Sequence, residues 1–337
     1  SQYSSDIRHM KGIDNNVADW LSIICSINVL NFDTMVAEQK SDPELKTLLE
    51  ASKKTDFKLI LYPIPDSDKF LYCNVQGNHV RPYVPKSQRI LVMQKLHNLS
   101  HPGIRATRKA VLDRYIWPGA AKDIALFVRT CLDCQRVKVN KHIKAPLNVY
   151  VREADRHFQH LNMDLVGPLP TSQGKRFCLT IIDRYSRWPV AVPLADSTAP
   201  TVANAFIKHW VSLYGVPERI TTDLGRQFES TLFAEMNKLL GIRHLRTTSY
   251  HPQRNGIIER WHLTLKYAIK CQATEHWTLV LPLVLLGLRT TVKLDFGASP
   301  AEMLYGTQLC VPYEFWVAGN ADQSEFAKQL RQKMSQL

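Results

Sequence analysis

Apolar residues cluster or alternate between turn residues in three early runs, FKLILYPIP at 57–65, FLYCNVQ at 70–76 and HVRPYVP at 79–85. That pattern predicts a small β meander. From Arg89 onward the apolar spacing changes to three and four, in RILVMQKLHNLS at 89–100 and AAKDIALFVRTCLDCQRVK at 120–138, so helices are expected there. HFQHLNMDLVG at 157–167, RFCLTIIDRY at 176–185 and RWPVAVPL at 187–194 read as three consecutive strands. The amphipathic APTVANAFIKHWVSLYG at 199–215 follows, then a strand in ERITTD at 218–223, a helix in STLFAEMNKLLG at 230–241, a strand in IRHLRT at 242–247 and a long helix in NGIIERWHLTLKYAIKC at 255–271. Strands first, and then strands alternating with helices, predict a mixed five-stranded sheet flanked by helices. TLVLPLVLLGL at 278–288 is too short to span a bilayer and carries a proline, so it reads as a buried helix and no membrane segment is expected.

The 337 residues suit two or three small domains. A formal charge of +13 favours a polyanionic partner, with nucleic acid the leading candidate, because lysine and arginine gain by displacing counterions from phosphate backbones. Seven cysteines, an odd number without a dense framework, and the lack of an apolar leader after Ser1 argue against a secreted disulfide protein and for a reducing compartment.

Two short spacings suggest a metal. His97 and His101 have three residues between them, Cys131 and Cys134 have two, and twenty-nine separate the pairs. The histidines share one helical face and the thiols meet at a turn, which suits tetrahedral coordination of zinc by two nitrogens and two sulfurs. Four protein ligands leave no position for water, so such a zinc would be structural. Each half has a plainer reading: surface or core histidines for the one, a redox motif for the other. Cys25, Cys73, Cys178, Cys271 and Cys310 have no matched partners and read as core or free thiols.

Three carboxylates stand out. Asp164 interrupts the apolar run LNMDLVG, so it faces either solvent or a site. Asp223 closes the fourth strand ahead of Leu224 and Gly225, where ordinary turn chemistry and metal ligation are both open. Glu259 lies near the start of the long helix. Converging from two strands and a helix, the three would repel one another unless cations sat between them, which is the arrangement that holds two magnesium ions for an in-line phosphoryl displacement. Lys266 and Lys270 follow Glu259 by seven and eleven residues on the same face and could hold phosphates. His262 is on that side too, where a solvated histidine would serve equally. Asp183, in IIDRYSRW, competes for a catalytic role but reads as a strand-end residue that pairs with Arg184 and Arg187.

The stretch HNLSHPGIRATRKAVLDRYIWPGAAKDIALFVRTCLDCQR resembles the His2Cys2 zinc-binding region of long-terminal-repeat retrotransposon integrases. HLNMDLVGPLP, TTDLGRQFES and SYHPQRNGIIERWHLTLK resemble the three blocks of their catalytic core, in the Ty3/gypsy class. The resemblance implies an α/β ribonuclease H-like core and carries the acidic triad onto Asp164, Asp223 and Glu259, with thirty-five residues between the last two. It implies Mg2+ or Mn2+ at that triad, structural Zn2+ at His97, His101, Cys131 and Cys134, and DNA contacts at Arg254, Asn255, Lys266 and Lys270. Leu224 departs from the polar residue usual after the second aspartate, and Arg254 from the small residue common in HPQxNG.

RHMKGIDNNVADWLS resembles the last segment of the ribonuclease H domain that precedes integrase in such polyproteins, with His9 and Asp19 at matching positions. The implied organisation is a ribonuclease H remnant and linker at 1–34, a small α+β extension at 35–88, the zinc-binding domain at 89–145, the catalytic core at 146–320 and a truncated linker to an absent C-terminal domain at 321–337. The implied activity is processing of element 3' ends and their transfer into target DNA, by a homo-oligomer assembled on DNA ends in the nucleus after a cytoplasmic particle stage. From His101 to Arg156, twelve basic residues stand against five acidic ones, and these would hold DNA by its backbone. The rival reading is a catalytically silent, domesticated or decaying remnant that only binds nucleic acid.

Overall fold

In the computed structural model, residues 32–50, 57–64, 68–76, 80–137, 156–246, 252–272, 274, 276–293 and 297–312 are described, with side chains from Arg260 onward in the helix that begins at Pro252. His9, Asp19 and Cys25, the segment 313–337, and the side chains of Arg254, Asn255 and Glu259 lie outside the described residues. The described chain divides into two units, one made of 32–92 with 111–120, the other of 93–110 with 121–312.

In the first unit, helices α1 (Phe32–Ser41) and α2 (Pro43–Glu50) precede the meander β1 (Leu59–Pro63), β2 (Phe70–Asn74) and β3 (Arg81–Pro82), all antiparallel. Met35, Val36, Leu71 and Cys73 form its core. Gln39 is buried among them because its amide is fully used: it donates to the carbonyls of Tyr72 and Tyr83 and accepts the Tyr72 N–H at 2.7 Å.

Four helices follow, α3 (Arg89–His97), α4 (Ile104–Leu112), α5 (Ala120–Thr130) and α6 (Leu132–Val137). The second unit then builds its sheet from β4 (His160–Val166), β5 (Phe177–Asp183), β6 (Pro189–Leu194), β7 (Arg219–Thr222) and β8 (Arg243–Arg246), in the spatial order β6-β5-β4-β7-β8. β4, β5 and β6 are antiparallel, whereas β7 and β8 run parallel to β4, giving the mixed five-stranded sheet that the strand and helix order predicts. Between β6 and β7 lie α7 (Ala199–Phe206), a π-helical turn (Ile207–Val211) and α8 (Ser212–Tyr214), closed by Gly215 at φ 82°. α9 (Thr231–Leu240) joins β7 to β8, and α10 (Pro252–Cys271), α11 (Trp277–Thr290) and α12 (Pro300–Tyr305) complete the unit.

Side chains alternate across each strand. Leu161 and Met163 of β4, Leu179 and Ile181 of β5 and Ile220 of β7 face Val202, Phe206, Trp210, Phe233 and Met236 on one side. Val166, Cys178, Ile182 and Ala191 face Trp261, Leu265, Ala268 and the apolar side of α11 on the other. The buried helix read at 278–288 is α11, with Pro282 inside it. Asp164, between Met163 and Leu165, therefore belongs to the face that α10 covers. No described helix is long and apolar enough to cross a membrane.

Candidate metal centres

His97 ends α3, His101 stands in the following turn at φ 46°, and Cys131 and Cys134 flank the start of α6. The four donor atoms lie within 4.8 Å of one another. His97 Nε2 is 3.2 Å from Cys134 Sγ, and His101 Nδ1 is 3.5 Å from the same sulfur and 3.7 Å from Cys131 Sγ. A nitrogen and a sulfur on one tetrahedral zinc sit about 3.6 Å apart, from Zn–N near 2.0–2.1 Å and Zn–S near 2.3 Å, so this set fits zinc closely.

The tautomer fits as well. Thr107 spends its single hydroxyl proton on the Pro102 carbonyl at 3.0 Å and lies 3.1 Å from His97 Nδ1. Nδ1–H must then be the donor, which turns the Nε2 lone pair toward the sulfurs. Burial, and then the charge of His101, pushes His97 down to about 3, while burial pushes the Cys134 thiol up to about 12. The histidine is ready to ligate; the thiol has to give up a proton to do so.

α10 ends against this cluster. Tyr267 donates its hydroxyl to the Cys134 carbonyl at 3.2 Å, Cys271 Sγ approaches the Asp133 carbonyl at 3.6 Å, and Gln272 donates to the Asn98 carbonyl at 2.8 Å. Cys271 read as an unmatched thiol; it is free and buried, and it belongs to this clasp. Cys73 and Cys178 are buried free thiols and Cys310 is exposed.

Asp164 lies on β4 and Asp223 directly follows β7, the adjacent parallel strand of the same unit. Asp164 Oδ1 accepts its neighbour's N–H, from Leu165, at 2.7 Å. Asp223 Oδ1 accepts the Gly225 N–H at 3.0 Å, so the turn reading of this aspartate is correct and leaves the ligand reading intact. The residue two places on has to be small: a Cβ on Gly225 would meet Asp223 Oδ1 at 2.9 Å. Behind Asp223, the Thr222 hydroxyl bonds the Asp223 carbonyl and His244 Nε2, both at 2.8 Å. One backbone N–H per carboxylate fixes the rotamer and leaves hard anionic oxygens of the kind magnesium takes.

His262 departs from the solvated reading. It is only 9 % exposed, with Nε2 2.7 Å from Thr180 Oγ1 and Nδ1 3.5 Å from Asp164 Oδ2. Burial, and then the charge of Lys266, pushes it down to about 4. Thr180 is the register partner of Asp164 across β4 and β5, which puts both side chains under the helix. Sequence spacing pointed to the side of α10 that carries His262 but gave no sign of Thr180, because cross-strand neighbours have no fixed sequence separation. Lys266 and Lys270 are exposed on α10.

Asp183 has a structural task. Its carboxylate accepts the N–H groups of Phe158 and Ser186 and the Ser186 hydroxyl, at 2.6–3.0 Å, and is fully buried by that turn. Arg184 instead donates to Asn162 Oδ1 at 3.1 Å.

Residues 84–140 match the family described as the integrase zinc binding domain, and residues 154–252 match the integrase core domain. The first match holds all four His and Cys donors; the second holds Asp164 and Asp223 and stops before Glu259 and His262. The chain is 30 % identical over 220 residues to the retrovirus-related Pol polyprotein from transposon 412 of Drosophila melanogaster, covering 64 % of this chain and 18 % of that protein. It is 29 % identical over 310 residues to the Pro-Pol polyprotein of simian foamy virus type 3, covering 90 % and 26 %. A Tf2-3 transposon polyprotein of Schizosaccharomyces pombe is 24 % identical over 331 residues, covering 90 % and 24 %. The chain thus spans about a quarter or less of the length of these relatives. Among solved structures, the catalytic core domain of BIV integrase is 22 % identical with a TM-score of 0.38, covering 44 % of this chain and 95 % of that one.

Proposed function

We infer, from a chain that carries an integrase zinc-binding domain followed by an integrase core domain and whose relatives are pol polyproteins of retrotransposons and retroviruses, that the protein is a polynucleotidyl transferase acting on DNA. The observation that carries this reading is the placement of Asp164 on β4 and of Asp223 directly after the neighbouring parallel strand β7, each with its carboxylate fixed by a local backbone N–H.

Asp164, Asp223 and Glu259 would hold divalent cations, Mg2+ or Mn2+. When bound, two such cations activate an attacking oxygen and stabilise the leaving oxygen of an in-line displacement, first with water near the element's 3' end and then with the freed 3' hydroxyl on target DNA. The chain's own part is to fix the carboxylates and to hold the DNA. Exposed Lys266 and Lys270, with Arg254, Asn255 and the basic residues of the zinc-binding domain, would contact phosphates and position the duplex with little base specificity. The zinc cluster would be structural, and pairing of two DNA ends would call for a homo-oligomer. Ty3/gypsy membership and work in the nucleus belong to the same reading.

The test is strand transfer, or its reversal on a branched duplex, with Mg2+ or Mn2+. Activity lost in Asp164→Asn, Asp223→Asn and Glu259→Gln supports the enzyme. A folded protein that binds zinc and DNA yet gives no product in either metal would leave the binding-only reading in its place.

A further inference from the structure

We propose that His262 is a nitrogen ligand of the cation held by Asp164, so that this site has a mixed nitrogen and oxygen donor set and prefers Mn2+ to Mg2+. The inference rests on the two-cation reading above and adds a ligand to it.

Proton bookkeeping at Thr180 carries the argument. Its single hydroxyl proton goes to the Asp164 carbonyl at 2.9 Å, so at 2.7 Å from the same oxygen His262 Nε2 has to be the N–H donor. With Nε2 engaged by Thr180, Nδ1 is the ring nitrogen that faces Asp164 Oδ2, 3.5 Å away. Two donors on one octahedral cation, each about 2.1 Å from it, lie about 3 Å apart, so a small closure brings both onto one ion.

The zinc cluster uses the same device. Thr107 commits its proton to Pro102, fixes His97 with Nδ1–H as donor and aims Nε2 at the sulfurs. In each place a buried threonine engages one ring nitrogen and leaves the other facing a side-chain atom able to ligate a metal. Imidazole is a softer donor than carboxylate, which sets the metal preference. Thr180 is then a positioning residue acting through His262.

The measurement is electron spin echo envelope modulation of bound Mn2+ in the full chain, loaded first with one zinc so that His97 and His101 are occupied. Nitrogen modulation in the wild type that disappears in folded His262→Gln and weakens in Thr180→Val, with a several-fold weaker Mn2+ affinity, is the expected result. Mn2+ bound in an Asp164-dependent way without nitrogen modulation overturns the ligand and leaves the carboxylate reading standing. Mn2+ binding indifferent to Asp164→Asn and Asp223→Asn overturns both.

Discussion

The Tyr267 hydroxyl donates to the carbonyl of Cys134, 3.2 Å away, so the helix that carries Glu259 is tied at its far end to the turn that carries one thiol of the His and Cys cluster. Loss of zinc would loosen that turn and with it the last two turns of α10. Chelation is expected to lower the melting temperature and to speed amide hydrogen exchange around 264–272, and Tyr267→Phe should cost about 0.5–1.5 kcal/mol, the usual net value of one hydrogen bond. Unchanged exchange in α10 after zinc removal would sink the coupling.

Zinc affinity should fall as the solution is acidified. The Cys134 thiol is pushed up by burial in the metal-free protein and carries its proton at neutral pH, whereas His97 is pushed down and carries none. Binding has to release the thiol proton, so affinity rises with pH and falls below neutrality. Titration in buffers of different ionisation enthalpy should register release of the Cys134 proton on zinc binding; no release would mean that thiol is already ionised.

Gly225→Ala should damage chemistry more than folding. The added methyl would sit 2.9 Å from Asp223 Oδ1 and 2.4 Å from Gln227 Nε2; the glutamine can swing away, and the carboxylate has to move. A misplaced group of this kind costs on the order of a hundredfold in rate. Strand-transfer rate and melting temperature measured together check it: full activity refutes the positioning of Asp223 by this turn.

Gly287→Ala sets two effects against each other. Alanine favours a helix interior by about 1 kcal/mol over glycine. Here its methyl would meet Ser100 Cβ at 2.7 Å and the Leu99 backbone carbon at 3.0 Å, and overpacking of this kind costs about 1–3 kcal/mol. The expected outcome is net destabilisation by denaturant unfolding, with weaker zinc retention because Ser100 adjoins His101. A more stable variant would show that the loop yields freely.

Much of this was legible along the chain because the signals are periodic. Alternation in LNMDLVG placed Asp164 on a strand face opposite Met163, and the spacing of the His and Cys pairs anticipated a cluster whose donors lie within 4.8 Å. What stayed hidden was contact between elements. Thr180 meets Asp164 through sheet register, His262 is buried because Trp261 and Leu265 seat α10 on the sheet, and Cys271 reaches Asp133 from 138 residues away. Each depends on packing that no local pattern encodes. Asp183 was read correctly as a strand-end residue, but its partners proved to be Ser186 and the Phe158 N–H, since a buried carboxylate is satisfied by any donor a tight turn supplies.

α10 is a single rod of twenty residues, about 30 Å long at 1.5 Å per residue, with Glu259 in its second turn and the zinc clasp at its end. Recombination between related elements that joined the zinc-binding module of one to the core of another would separate Asn98, Asp133 and Cys134 from Gln272, Cys271 and Tyr267. Functional mosaics should therefore inherit these two sets together, although the paired residues are 133 or more positions apart in sequence.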